Sequence, residues 1–363
     1  MYRYILRESC SQFDSLPLTS LTIHRVLLRQ VKQGKKTELF NHLSQRRPLL
    51  SAIAEIYAMT FVQHETKDAY ASLTHDEHVA KLDVAKERKE STLRAVCSLK
   101  SYAAQENVRI TDMCRDKCGG QSLVTENQLG QLSNCAVSLV VVEGDSCILA
   151  QKVVGELVKA ALGKGSTVLK MGRLAVLSAK VAASNAAFTL RAFAGVDRSM
   201  YGTLLTLHYE TRLAALARRL LVSLAKGSFG RDWSTKETAE ILELHHCYAE
   251  QNAYSAFRRA IATKAGSAEE RAFLAYWCNL YGLATICRRM DFYLAHVDAV
   301  TPQVAASLKA AFDATARKCT HECALAAVAA FSIDSETLNI PMAKLCAETN
   351  DTAEARRLCA VPS

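Results

Sequence analysis

Between Pro48 and Pro302 the chain runs for 253 residues without a proline. Proline fixes the backbone and removes a donor, so it collects at turns and breaks helix interiors. Glycine, the other turn residue, occurs only 15 times in 363 residues. An all-β chain needs many turns, and a doubly wound α/β chain needs a turn at each end of every strand. The shortage of turn residues therefore predicts long helices and an all-α fold. Half of the residues are hydrophobic and 22% are charged, enough to bury a core and to exclude disorder for most of the chain.

Charge and cysteine usage narrow the partners. The net charge is +9, a mild excess that permits an anionic partner without requiring one. The basic doublets Arg46-Arg47, Arg258-Arg259 and Arg288-Arg289 are isolated, so they read as solvated faces and not as a nucleic-acid stripe. Thirteen cysteines form an odd set without a regular framework, which predicts reduced thiols and an intracellular location. Cys114/Cys118, Cys319/Cys323 and His245-His246-Cys247 are local clusters. None has the common C-x2-C spacing of a zinc site, so they read as core or surface thiols and no metal is expected. No apolar run reaches the ~18 residues of a membrane span, and no secretory signal is expected at the N-terminus.

Along the chain, residues 38–63 carry Leu49, Ile53, Ile56 and Tyr57 on one helical face. Thr74 to Glu77 has the pattern of a capping box and predicts the start of a helix reaching Cys118, where Gly119-Gly120 stops it. Residues 121–147 look least helical, because Leu139 to Val142 is rich in β-branched residues. A helix follows from Ser146 to Leu162, broken by Gly163-Lys164-Gly165. Further helices are predicted over 168–193, to about Lys226, over 235–264 and 268–290 behind capping boxes at Ser234 and Ser267, and from Pro302 to about Ala330. The expected division is an irregular segment with a first helix at 1–37, a helical bundle at 38–165 and a second helical domain at 166–363.

One stretch carries chemistry. It runs Cys114-Arg115-Asp116-Lys117-Cys118-Gly119-Gly120, then Asn127-Gln128-Leu129-Gly130, then Val142-Glu143-Gly144-Asp145-Ser146 and an apolar helix. In isolation, a helix ending in Gly-Gly is an ordinary C-cap, and a glutamate before a helix is a dipole partner. In this order and spacing the segments resemble the acyl-CoA oxidases, the oxidase branch of the acyl-CoA dehydrogenase superfamily. In that family a helix ends in Glu-Cys-Arg-x-x-Cys-Gly-Gly-x-Gly, and Tyr-Glu-Gly-Asp-Asn opens the next. Gln45 to Ala58 looks like the helix preceding these motifs. His246 to Phe257, Leu280 to Leu283 and Ala329 to Pro341 look like the extra helical domain of the oxidases. Leu43, Ser122, Val142 and Ser146 stand where the family carries other residues.

The resemblance implies FAD-dependent oxidation of acyl-CoA to trans-2-enoyl-CoA with hydrogen peroxide formed. It implies Glu143 as the base, with Gln45, Cys118, Gly119, Gly120, Asp145 and Ser146 near the flavin. A peroxisomal address and an oligomer are implied as well. The family's N-terminal helical and middle β domains have no counterpart here. The chain is therefore expected to be part of a split or truncated enzyme, in a homodimer or in a heteromer with a chain supplying those domains. The alternative is a non-catalytic subunit of a larger, mitochondrial assembly.

Overall fold

The computed structural model describes residues 39–80, 85–125, 129–192 and 196–331. The segment 1–37 and most of Ala329 to Pro341, named above, lie outside them. The described residues contain helices and no strand, so the all-α expectation holds. The helices are α1 Leu43–Thr74, α2 Lys86–Cys118, α3 Leu129–Val141, α4 Ser146–Leu162, α5 Thr167–Ala192 and α6 Tyr201–Ala225. They continue with α7 Phe229–Thr235, α8 Thr238–Lys264, α9 Ala268–Arg288, α10 Met290–His296, α11 Pro302–Lys318 and α12 His321–Ala329. No single described helix is long and apolar enough to cross a membrane.

Several helix ends follow the sequence. Asp145 accepts from the N–H groups of Cys147 and Ile148 and caps α4. Ser267 and Glu270 close a reciprocal capping box at α9, and Thr301 Oγ1 accepts from Val304 N at α11. Gly119, at φ 58°, ends the helix that stops at Cys118. Other expectations fail. Thr74 makes no side-chain cap, and only a π-helical turn, His75–Val79, follows it. Thr74 closes α1, its hydroxyl donates to the Tyr70 carbonyl, and α2 begins only at Lys86. Ser234 lies within α7 and donates to carbonyls of its own helix, so it caps nothing. The stretch read as least helical contains α3, which buries Leu129, Ser133 and Ala136 on one face. Packing of that face outweighs the weak helix propensity of its β-branched end. The single helix expected from Pro302 to Ala330 is two, α11 and α12.

The described residues form two compact units, each discontinuous in sequence. Those before Ala54, those of Ala104–Glu143 and those from Asp313 onward make the first; Ala54–Ala103 and Gly144–Phe312 make the second. Helices α1 and α2 contribute to both. In the first unit Arg46 donates to the Phe40 and Arg317 carbonyls, and Arg47 pairs with Asp313. In the second, α6 is central and packs against α4, α5, α8 and α9. Val153, Val154, Leu157, Leu216, Leu220, Ile241 and Leu244 are buried together there. Each such side chain contributes about 1.5–3 kcal/mol on burial. Residues 163–170, the sequence's candidate boundary, fall inside this second unit. Arg173 ties the turn down by donating to the Leu162 and Lys164 carbonyls.

Candidate functional site

The Glu-Gly-Asp loop joins α3 to α4. Val142 N–H still donates to the Ser138 carbonyl, and the chain then leaves the helix. Glu143 takes φ 59° and Gly144 φ 107°. Among the described residues Glu143 is the one non-glycine in the left-handed region. That conformation costs a residue with a Cβ about 1–2 kcal/mol. It recurs at helix C-termini, where glycine normally absorbs it. Glu143 is partly buried, with its Oε2 atom shielded from solvent.

Two residues of α2 fix the next step of the loop. Lys100 is almost fully buried, and its Nζ donates to the Gly144 carbonyl at 2.7 Å. Ser101 Oγ donates to the Ser146 carbonyl at 2.6 Å. Neither stands out in the sequence, because a single lysine or serine in a mixed helix carries no pattern. A lysine at a helix position otherwise reading as core is the one signal that could have marked Lys100. Asp145 has one oxygen committed to capping α4, and Ser146 is fully buried. Both residues help to hold the start of α4.

The first unit holds the other motif. Cys114 and Cys118 are buried in the last turns of α2. Burial pushes the Cys118 thiol up to about 11 and the Cys114 thiol further, so neither is a thiolate near neutral pH. Arg115 donates to Ser133 Oγ, which donates to Asp112 Oδ1, joining α2 to α3. At Gly119 and Gly120 an added Cβ would meet nothing within 4 Å, so both lie against open space. Gln45 sits in the first turn of α1 with its Oε1 buried and unmatched by a donor. No hydrogen bond joins it to Cys118, Gly119 or Gly120. A buried acceptor without a partner costs about 1–3 kcal/mol. Taken separately, the orphaned Gln45 carbonyl suits an N–H donor and the Gly119-Gly120 turn suits a flat group lying on open space, features that a flavin nucleotide has. Asp145 Oδ1 and the Ser146 carbonyl are already engaged within the fold.

The histidine–cysteine cluster resolves differently from its sequence. Cys247 meets His208 of α6, at 3.2 Å from Nε2, and not its neighbours His245 or His246. With Glu250 these make the one group of three clustered metal-type ligands among the described residues. Arg212 donates to the same Nε2 at 2.9 Å, and Arg289 donates to Glu250. Two guanidiniums beside the ligands oppose a cation, so the set is a buried hydrogen-bond network. Glu55 belongs to a similar network, accepting from Tyr102 and Arg288. Cys319 and Cys323 lie together near the start of α12. A hydrogen bond from Cys319 lowers the Cys323 thiol to about 7.

Residues 22–158 match the family described as acyl-CoA oxidase, C-alpha1 domain. Peroxisomal acyl-coenzyme A oxidase 2 of Arabidopsis thaliana is 27% identical over 146 residues, 39% of this chain and 20% of that protein. The acyl-coenzyme A oxidase-like protein of Mus musculus is 25% identical over 320 residues, 85% of this chain and 48% of that one. The structure of acyl-CoA oxidase-1 from Caenorhabditis elegans, complexed with FAD and ATP, superposes with a TM-score of 0.75 at 13% identity. It covers 97% of this chain and 54% of its own. The chain is similar to acyl-CoA oxidases: residues 22–158 match their C-alpha1 domain, and its fold is similar to their helical portion over most of its length. It spans about half the length, or less, of the relatives it matches.

Proposed function

We propose that this chain supplies the flavin-side helical portion of an acyl-CoA oxidase, converting acyl-CoA to trans-2-enoyl-CoA with release of hydrogen peroxide. The observation that carries the reading is the left-handed backbone at Glu143, in a loop gripped by Lys100. Glycine would take that conformation without strain; a glutamate kept there places a carboxylate. A thioester α-proton is weakly acidic, so its removal needs a positioned base and a stabilised enolate. Glu143 is assigned as that base, and its backbone N–H as a donor to the thioester carbonyl. A bound flavin would supply the acceptor for the β-hydride and the route for its electrons to oxygen. Gln45, Cys118, Gly119 and Gly120 are assigned to face it. Asp145 and Ser146 act by fixing the start of α4.

The relatives are at least about twice as long, so the rest of the flavin and acyl-CoA site is assigned to a second copy, another chain or further sequence of this one. The peroxisomal relatives support the same address. In an assembly that turns over acyl-CoA, Glu143→Gln is expected to abolish acyl-CoA-dependent peroxide release. Unchanged turnover ends the assignment. Purified alone, the chain is expected to be colourless. A visible flavin band on a monomer by light scattering overturns the shared site.

A second reading has its own support, since Asp145 and Ser146 are already engaged in holding the fold. In it the chain is a non-catalytic assembly subunit, and its complex forms unchanged with Glu143→Gln.

A further inference from the structure

The second unit has a corner that the chemistry above does not use. The 40 residues from Leu157 to Val196 hold six lysines and arginines and no aspartate or glutamate, although 36 acidic residues are spread over the whole chain. Within this window α5 fully buries only Leu174 and Phe188 of its 26 residues. At its start Val168, Leu169 and Met171 are 58–76% exposed. Beside them the end of α6 and the start of α7 expose Val222, Leu224 and Phe229. A groove of about 700 Å³ runs between α5 and α6, past Met171, Val222 and Lys226. Another of about 750 Å³ is lined by Leu162, Lys170, Leu224, Phe229 and Trp233.

Cations ring this apolar corner. Lys159, Lys164, Lys170 and Lys226 lie in or around the two grooves, and no ion pair engages them among the described residues. The nearby carboxylates are already held: Glu156 by Lys152, and Asp232 by Lys236 and Ser228. Exposed apolar patches mark interaction sites. A second copy would bring lysine against lysine, which like charge disfavours. An anionic lipid surface satisfies both features, because aliphatic side chains enter the boundary between headgroups and acyl chains while lysines meet the phosphates.

We propose that the α4–α5 and α6–α7 corners dock on an anionic phospholipid surface, with Val168, Leu169, Leu224 and Phe229 entering it and the four lysines on its headgroups. The site is independent of the reading of Glu143.

The test is co-sedimentation of the full chain with vesicles of phosphatidylcholine alone or mixed with phosphatidylserine. Binding is expected on the mixed vesicles, weakened by high salt, and little on phosphatidylcholine. Each lysine near the surface is worth roughly fivefold, so Lys164→Ser with Lys170→Ser is expected to weaken binding about 25-fold. Leu169→Ser with Leu224→Ser is expected to weaken it about tenfold or more. Both pairs are at the surface, so far-ultraviolet circular dichroism should remain that of the parent. A folded chain that ignores the mixed vesicles overturns the proposal, as does equal binding by the lysine variant. Leucine variants that dissociate a dimer without changing vesicle binding give the surface to a second copy and overturn it too.

Discussion

Glu143 separates strain from stability at the scale of one residue. Its φ of 59° lies where glycine is unstrained. Glu143→Gly is expected to raise stability by about 1 kcal/mol in urea unfolding, net of the flexibility that glycine adds to the unfolded chain. Glu143→Gln keeps the Cβ and is expected to leave stability near the parent value. A destabilised glycine variant would show that the side chain holds the loop, and would remove the argument that the carboxylate is kept for chemistry. The residue itself was legible in the sequence, from the Glu-Gly-Asp motif. Its backbone was not, because nothing in a sequence says which residue after a helix will turn left-handed. Lys100 and Ser101 were hidden for a related reason: their partners, the Gly144 and Ser146 carbonyls, lie more than 40 positions away.

Among elements, the close crossing of α6, α8 and α9 depends on Gly282. A Cβ there would lie 2.9 Å from Tyr254 Cε2 and 3.2 Å from Tyr201 Cδ2. The two tyrosines belong to the neighbouring helices and are buried, so they have little room to withdraw. Gly282→Ala is expected to cost about 1–3 kcal/mol by thermal or urea unfolding, despite the better helix propensity of alanine. A variant as stable as the parent would show that the rings can move. The caps at this scale were half legible. Ser267 and Thr301 act as read, while Thr74 and Ser234 turn back onto their own helices. The same four-residue pattern fits a helix start and a helix interior, and only the neighbouring turns decide which.

At the scale of the molecule, two buried histidines, His208 and His245, and the half-buried His246 set the response to acid. Burial lowers His208 and His245 to about 3 and His246 to about 4, and nearby arginines add to the lowering of His208 and His246. In the unfolded chain they take up protons near pH 6.5. Between those values the unfolded state binds more protons, so stability is complete above pH 6.5 and falls as pH drops. Each histidine contributes about 1.4 kcal/mol per pH unit across its window. Glu250 is raised by burial and works in the opposite sense, so the clean measurement is a difference. His245→Asn removes one titration, and its stability–pH slope between pH 6 and 5 is expected to be shallower by about 1.4 kcal/mol per unit. An unchanged slope would show that His245 is protonated in the folded state.

The helical class followed from the sequence alone, because proline and glycine act locally and their scarcity leaves a chain few ways to turn. So did the family likeness and the Glu-Gly-Asp loop, which depend on order and spacing along the chain. The tertiary structure decided which stretches pack as a unit: α1 and α2 each serve both units, and residues beyond 312 return to pack with those before 54. It also decided that Cys247 meets His208 and not its neighbours, and that a lysine-ringed apolar corner forms where α4, α5, α6 and α7 meet. These are pairings between distant positions, fixed by the burial of whole helix faces, and no local run of residues encodes them.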